Sequence, residues 1–148
     1  MTDTVSKKIR SKIMSSVSGK NTKPEILLRS LLHRAGYRFR IHSQHLPGKP
    51  DIYLPKFRTV IFVHGCFWHR HVGCKKTTTP RSNKKFWDQK FRDNKARDAR
   101  NERLLKKSGF TVLTVWECEL KNPQKVLSSL RKTLNSQLRK LRRKKSTP

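Results

Sequence analysis

The chain has 148 residues, with 37 Lys and Arg against 9 Asp and Glu, a formal charge of +28. That length predicts one domain with one modest core, and that charge predicts a polyanionic partner, nucleic acid before any other. No window approaches the roughly 20 apolar residues of a membrane span, and no apolar signal region opens the chain, so the expectation is a cytoplasmic protein without a membrane partner.

In chain order, KKIRSKIMSSV (7–17) reads as a short basic helix carrying Ile9, Ile13, Met14 and Val17, broken by SGKN (18–21). Thr22-Lys23-Pro24-Glu25 then opens a second helix. Thr22 suits the N-cap, Pro24 the first turn, and Glu25 the reciprocal position of a capping box. Ile26, Leu27, Leu28, Leu31 and Leu32 supply its buried face and Gly36 ends it. YRFRIH (37–42) alternates as a strand does, LPGKP (46–50) is a turn, and DIYLP (51–55) is a short strand. TVIFVHG (59–65) is an unbroken apolar run, the pattern of a central strand. KKTTTPRSN (75–83) is a polar loop, 86–109 a long charged helix, and FTVLTVW (110–116) a further strand. Pro123 begins a last helix, whose Leu127, Leu130, Leu134, Leu138 and Leu141 share one face, before RKLRRKKSTP (139–148) frays into a basic tail. Helix, strands, helix, strand, helix is the order of a mixed α/β or α+β layer fold.

The chemistry gathers in HGCFWHRHVGC (64–74). Three cysteines cannot all pair with one another, and in a reducing compartment cysteines beside histidines indicate a metal site. One bend brings Cys66, His71 and Cys74 together. If the strand at 110–116 lies beside the one at 59–65, Cys118 reaches the same end of the sheet. Thiolates and one imidazole in a tetrahedron are what Zn²⁺ prefers, and four side-chain ligands make a structural site. Spacing alone leaves His64, His69 and His71 competing for the one imidazole position.

Pro50-Asp51 is either turn chemistry alone or, placed before a strand and followed by a second strand ending in His64, an approach to the arrangement of Mg²⁺-dependent nucleases written PD…(D/E)xK. Phe62-Val63-His64 stands where the second acid and lysine belong. The backbone carbonyl of Val63 can replace the missing oxygen ligand, because Mg²⁺ takes few protein ligands and many waters. Glu25 is either a helix cap or an outer-shell group holding metal-bound water. Asp98 either orients a histidine or pairs with an arginine.

In NTKPE, PGKPDIYLP, RTVIFVHGCFWHRH, KFWDQK and ARDARNERLLKKSGFTVLTVWECEL, the chain resembles the very-short-patch repair (Vsr) endonucleases, over most of residues 10–120. The resemblance implies a restriction-endonuclease-like fold, a central mixed sheet flanked by helices with a structural zinc site. It implies an endonuclease unit over 1–122; the basic helix and tail over 123–148 lie outside the match and are expected to pack on the same domain or be appended to it. It implies Asp51 with the Val63 carbonyl as the Mg²⁺ site, holding one or two ions. His64 and His69 would be the catalytic imidazoles, with Glu25 and Asp98 supporting them. Cys66, His71, Cys74 and Cys118 would hold one Zn²⁺. Phe67, Trp68 and Trp87 would wedge into DNA, with Met14 entering from the other side, and Phe67 and Trp68 are expected at exposed positions. The implied reaction is hydrolysis of one phosphodiester 5′ of the mispaired thymine in a T:G mismatch, by a monomer that works beside other repair proteins. Two alternatives stand beside it: a restriction-type nicking nuclease without a mismatch requirement, and a noncatalytic zinc-stabilised nucleic-acid binder.

Overall fold

The computed structural model describes residues 21–146. The expected helix over 7–17, and Met14 with it, lies outside the described residues.

Helix α1 (Lys23–Arg34) begins where its cap predicts. Thr22 is extended and its hydroxyl accepts the Glu25 N–H at 3.4 Å, with Pro24 in the first turn. The reciprocal bond differs from a capping box: the Glu25 carboxylate accepts the N–H of Asn21, at 3.1 Å, and not that of Thr22. Gly36, at φ +94°, follows the end of the helix. Leu28, Leu31 and Leu32 are buried, whereas Ile26 and Leu27 are 52% and 38% exposed. A helix turns about 100° per residue, so one face cannot hold five nearly consecutive side chains.

The expected strand over 37–42 shrinks to β1 (Arg40–Ile41), an exposed edge, which His42 ends by leaving extended geometry at φ +48°. Strands β2 (Ile52–Leu54), β3 (Thr59–His64) and β4 (Thr111–Trp116) complete a sheet ordered β1-β2-β3-β4. β3 is central, antiparallel to β2 and parallel to β4, with His64 opposite Trp116. The parallel register therefore brings the chain after β4 to the end of β3, as the cysteine argument requires. Helices α2 (Lys84–Lys107) and α3 (Pro123–Ser146) complete the fold.

Ile52, Leu54, Ile61 and Val115 form one face of the sheet with α1 and with Val126, Leu127, Leu130 and Leu134 of α3. Burying each such leucine stabilises by roughly 2 kcal/mol. Residues of the opposite phase, Phe62, Val112 and Thr114, face a cleft that α2 lines from the other side. The sheet is thus a wall, with its packed core behind and an open cleft in front.

Candidate active site and metal centre

Three clusters of ligand-type side chains converge at the end of β3. The first is Glu25, His42 and Asp51. Asp51 sits just before β2, and its Oδ2 accepts the Val63 N–H of β3 at 2.6 Å. Burial pushes the Asp51 carboxyl up from 3.8 to about 6; the Val63 bond opposes the rise and the nearby Glu25 adds to it. A carboxylate so placed is a ready oxygen ligand for a divalent cation. Glu25 is 3% exposed, and its Oε2 accepts from Arg29 Nη2 at 2.9 Å and lies 3.1 Å from His42 Nε2.

The second cluster is His64, His69 and Asp98. A turn closed by the His69 N–H on the Gly65 carbonyl, 3.1 Å, folds the chain back after β3. It lays the His69 ring on that of His64, with centroids 3.8 Å apart and planes 5° from parallel. Asp98 of α2 meets His69 Nδ1 at 2.6 Å. A carboxylate there favours the proton on Nδ1 and leaves Nε2 as the basic atom. Burial opposes charge on Asp98, but its bond to His69 and the neighbouring charges of His69, His64 and Arg97 hold the carboxyl below its usual range. Burial, and then the charge of His69, push His64 down to about 4. His64 is therefore a neutral ring at physiological pH.

The third cluster is Cys66, His71, Cys74 and Cys118, with all four ligand atoms within 4.8 Å of one another. His71 Nδ1 lies 3.6 Å from Cys66 Sγ and 3.4 Å from Cys118 Sγ. Tetrahedral Zn²⁺, with bonds near 2.3 Å to sulfur and 2.0–2.1 Å to nitrogen, separates S and N by about 3.6 Å. The donor set and its spacing therefore fit zinc. Burial pushes the Cys66 thiol up to about 12, while Cys74, helped first by the Lys76 backbone N–H, falls to about 7. A divalent ion would deprotonate both. Of the three competing histidines only His71 faces the thiols, so His64 and His69 stay together in their own cluster.

The aromatic pair of the same segment packs inward more than expected. Phe67 and Trp68 are half-buried, and Trp87 is only 4% exposed. Their rings meet edge to face, Phe67 at 5.1 Å from Trp68 and 5.6 Å from Trp87, and Phe91 stacks on Trp87 at 5.7 Å. The ring most open to solvent here is Phe86, at 55%. The Asn94 amide donates to the Trp68 carbonyl at 3.2 Å and pins the segment to α2.

Two residues that sequence reasoning missed complete the picture. His42 joins Glu25 and Asp51 because its N–H bonds the Asp51 carbonyl across the hairpin; their symmetric placement about the 43–50 loop was the available signal. Trp116 stacks flat on His71, with centroids 4.1 Å apart and planes 6° from parallel, and turns its edge to His64 at 5.2 Å. No local pattern announces it, since it depends on the β3–β4 register.

The described chain has the fold of a nuclease catalytic domain: that of the homing endonuclease I-Bth0305I matches with a TM-score of 0.53 at 22% identity, covering 80% of this chain and 99% of that one. Residues 2–76 match the family model for DNA mismatch endonuclease Vsr. The type II nicking enzyme V.XorIIP of Xanthomonas oryzae pv. oryzae is 47% identical over 135 residues, 91% of this chain and 98% of that one. The DNA mismatch endonuclease Vsr of Escherichia coli is 40% identical over 126 residues, 85% of this chain and 80% of that one. This chain belongs to the Vsr family, and with it to the DNA-hydrolysing endonucleases.

Proposed function

We propose that this protein nicks one strand of duplex DNA at a T:G mismatch, hydrolysing the phosphodiester 5′ of the mispaired thymine. The observation that carries the reading is one cleft lined by Glu25, His42, Asp51, His64, His69 and Asp98. A half-buried carboxylate and a carboxylate-oriented imidazole line the same cleft. Asp51 and the Val63 carbonyl would hold Mg²⁺, with Glu25 nearby to bind its waters. When bound, that ion supplies Lewis-acid polarisation of the phosphate and a lower pKa for water.

His69 Nε2 takes the proton of the attacking water, while Nδ1 stays bonded to Asp98, which stabilises the imidazolium that forms. His64 enters neutral and donates an N–H to a phosphate oxygen, whose negative charge favours a proton on the ring. Water oxygen bonds to phosphorus as the bond from phosphorus to the 3′ oxygen breaks, and that oxygen takes a proton from solvent, leaving a 3′ hydroxyl and a 5′ phosphate. Cys66, His71, Cys74 and Cys118 would hold Zn²⁺ as a structural ion and take no part in the reaction. The excess of Lys and Arg supplies salt-sensitive phosphate contacts. The setting is the cytoplasm, where the DNA is; among the described residues no helix is long and apolar enough to cross a membrane.

The test is plasmid and oligonucleotide nicking with Mg²⁺, then with EDTA, then with Mg²⁺ and Zn²⁺ restored, on matched and T:G duplexes side by side. Strand-specific cuts confined to the mismatch and to Mg²⁺ are the expected result. A second reading, nicking without a mismatch requirement, is favoured by Trp87, which lies buried among its neighbours with little surface to offer a base; equal cutting of both duplexes would establish it.

Phe67 and Trp68 keep partial exposure at the cleft. A wedge between base steps costs less where a mismatch has already weakened stacking. Trp68→Ala is expected to cut the preference for T:G over matched DNA by about tenfold, within the ~1–3 kcal/mol range of one base–aromatic contact. Binding measured on both duplexes checks it; an equal loss on the two would remove the wedge.

A further inference from the structure

Helix α3 carries side-chain charge of one sign only. Every charged side chain between Pro123 and Ser146 is Lys or Arg, and no Asp or Glu follows Glu119. The arrangement works against the helix. Arg139 with Arg143, and Lys140 with Lys144, stand four apart, and each like-charged pair destabilises by about 0.2–0.5 kcal/mol. Lys125, in the first turn, opposes the helix dipole. Only the last turn gains from basic residues there, which leaves Arg131 and Lys132 without such a reason.

The position of α3 adds to this. Its apolar face, Val126, Leu127, Leu130 and Leu134, is spent on the core, so the Lys and Arg side chains stand on the exposed side of the helix. None of its residues lines the cleft, which opens on the other face of the sheet. From Arg131 to Lys145 the helix spans about 21 Å, the length of roughly six base-pair steps along a strand.

We propose that α3 is a second DNA-contact surface, which grips the phosphates of duplex outside the segment held in the cleft. The inference rests on DNA being the substrate, as set out above. Its occupant is a sequence-independent backbone, because the surface offers cations and no aromatic or amide pattern to read bases.

The test uses the full chain with Lys140, Arg142, Lys144 and Lys145 each changed to Gln, which keeps helix propensity. Binding is measured against salt on a short mismatched duplex that fills only the cleft and on one extended well beyond it. On the long duplex, the slope of log affinity against log salt should fall by up to about 3.6, at ~0.9 for each of four lost phosphate contacts. On the short duplex, affinity should hold within about twofold and far-ultraviolet circular dichroism should be unchanged. No change on the long duplex would overturn the proposal and leave a solvated face or a protein partner. Equal loss on both duplexes would overturn it too, by putting α3 on the path of the DNA in the cleft. Because the readout is binding and not turnover, the comparison stays decisive if the nicking reading fails.

Discussion

Asp51→Asn is expected to lower nicking by at least about a thousandfold, the several kcal/mol that a metal-organising carboxylate supplies, with DNA affinity nearly unchanged. The substitution removes one charge and keeps an oxygen that can accept the Val63 N–H, 2.6 Å away in the native chain. The same change should stabilise the protein when it is zinc-loaded but free of Mg²⁺. Asp51 titrates near 3.8 when solvated and near 6 in the fold, so the folded state disfavours the charged form. Below pH ~4 the group is protonated in both states and costs nothing. The cost grows as pH rises through the window from about 4 to 6, and above it reaches at most ~3 kcal/mol. The asparagine variant should therefore melt above the native chain at pH 7.5, by a margin that shrinks towards pH 5. Thermal melts and a nicking assay check both halves. Native turnover in the variant would remove Asp51 from the metal site, and a lower melting point at pH 7.5 would contradict the burial argument.

Cys118→Ser is expected to do its damage through stability. In 65–83 only Cys66 is buried, and Val72 is 88% exposed, so this long segment has almost no core of its own. A structural zinc would stand in for one, since the energy of metal binding is folding energy. Loss of one thiolate ligand should destabilise by about 3–5 kcal/mol and lower Tm by ~10 °C or more, with zinc content below one per chain. Activity should fall with it, because His69 rides on the same segment. A variant with full zinc and native Tm would remove Cys118 from the ligand set.

Much of this was legible because the signals are local. A Thr-x-x-Glu start, a run of β-branched residues in 59–64 and leucines spaced three or four apart in α3 are short-range patterns, and each element formed where its pattern lies. The meeting of Cys118 with Cys66 was legible as well, through one assumption about neighbouring strands that the β3–β4 pairing bears out. What sequence hid depends on register and on side-chain direction. His42 pairs across a loop whose shape sets which residue faces Asp51. Trp87 lies among lysines, arginines and aspartates, in a stretch whose composition suggests solvent, yet it is buried by rings that arrive from the segment after β3. The second bond of the α1 cap moved to Asn21 because Arg29 and His42 draw the Glu25 carboxylate inward.

Rings in contact run without interruption from His71 through Trp116 and His64 to His69, which ends on Asp98. Flat groups packed this way tolerate little sliding, because each is wedged by the next. If His69 is the proton acceptor proposed above, the cysteine cluster would be its footing: an ion that never meets the substrate would set how squarely an imidazole stands some residues away.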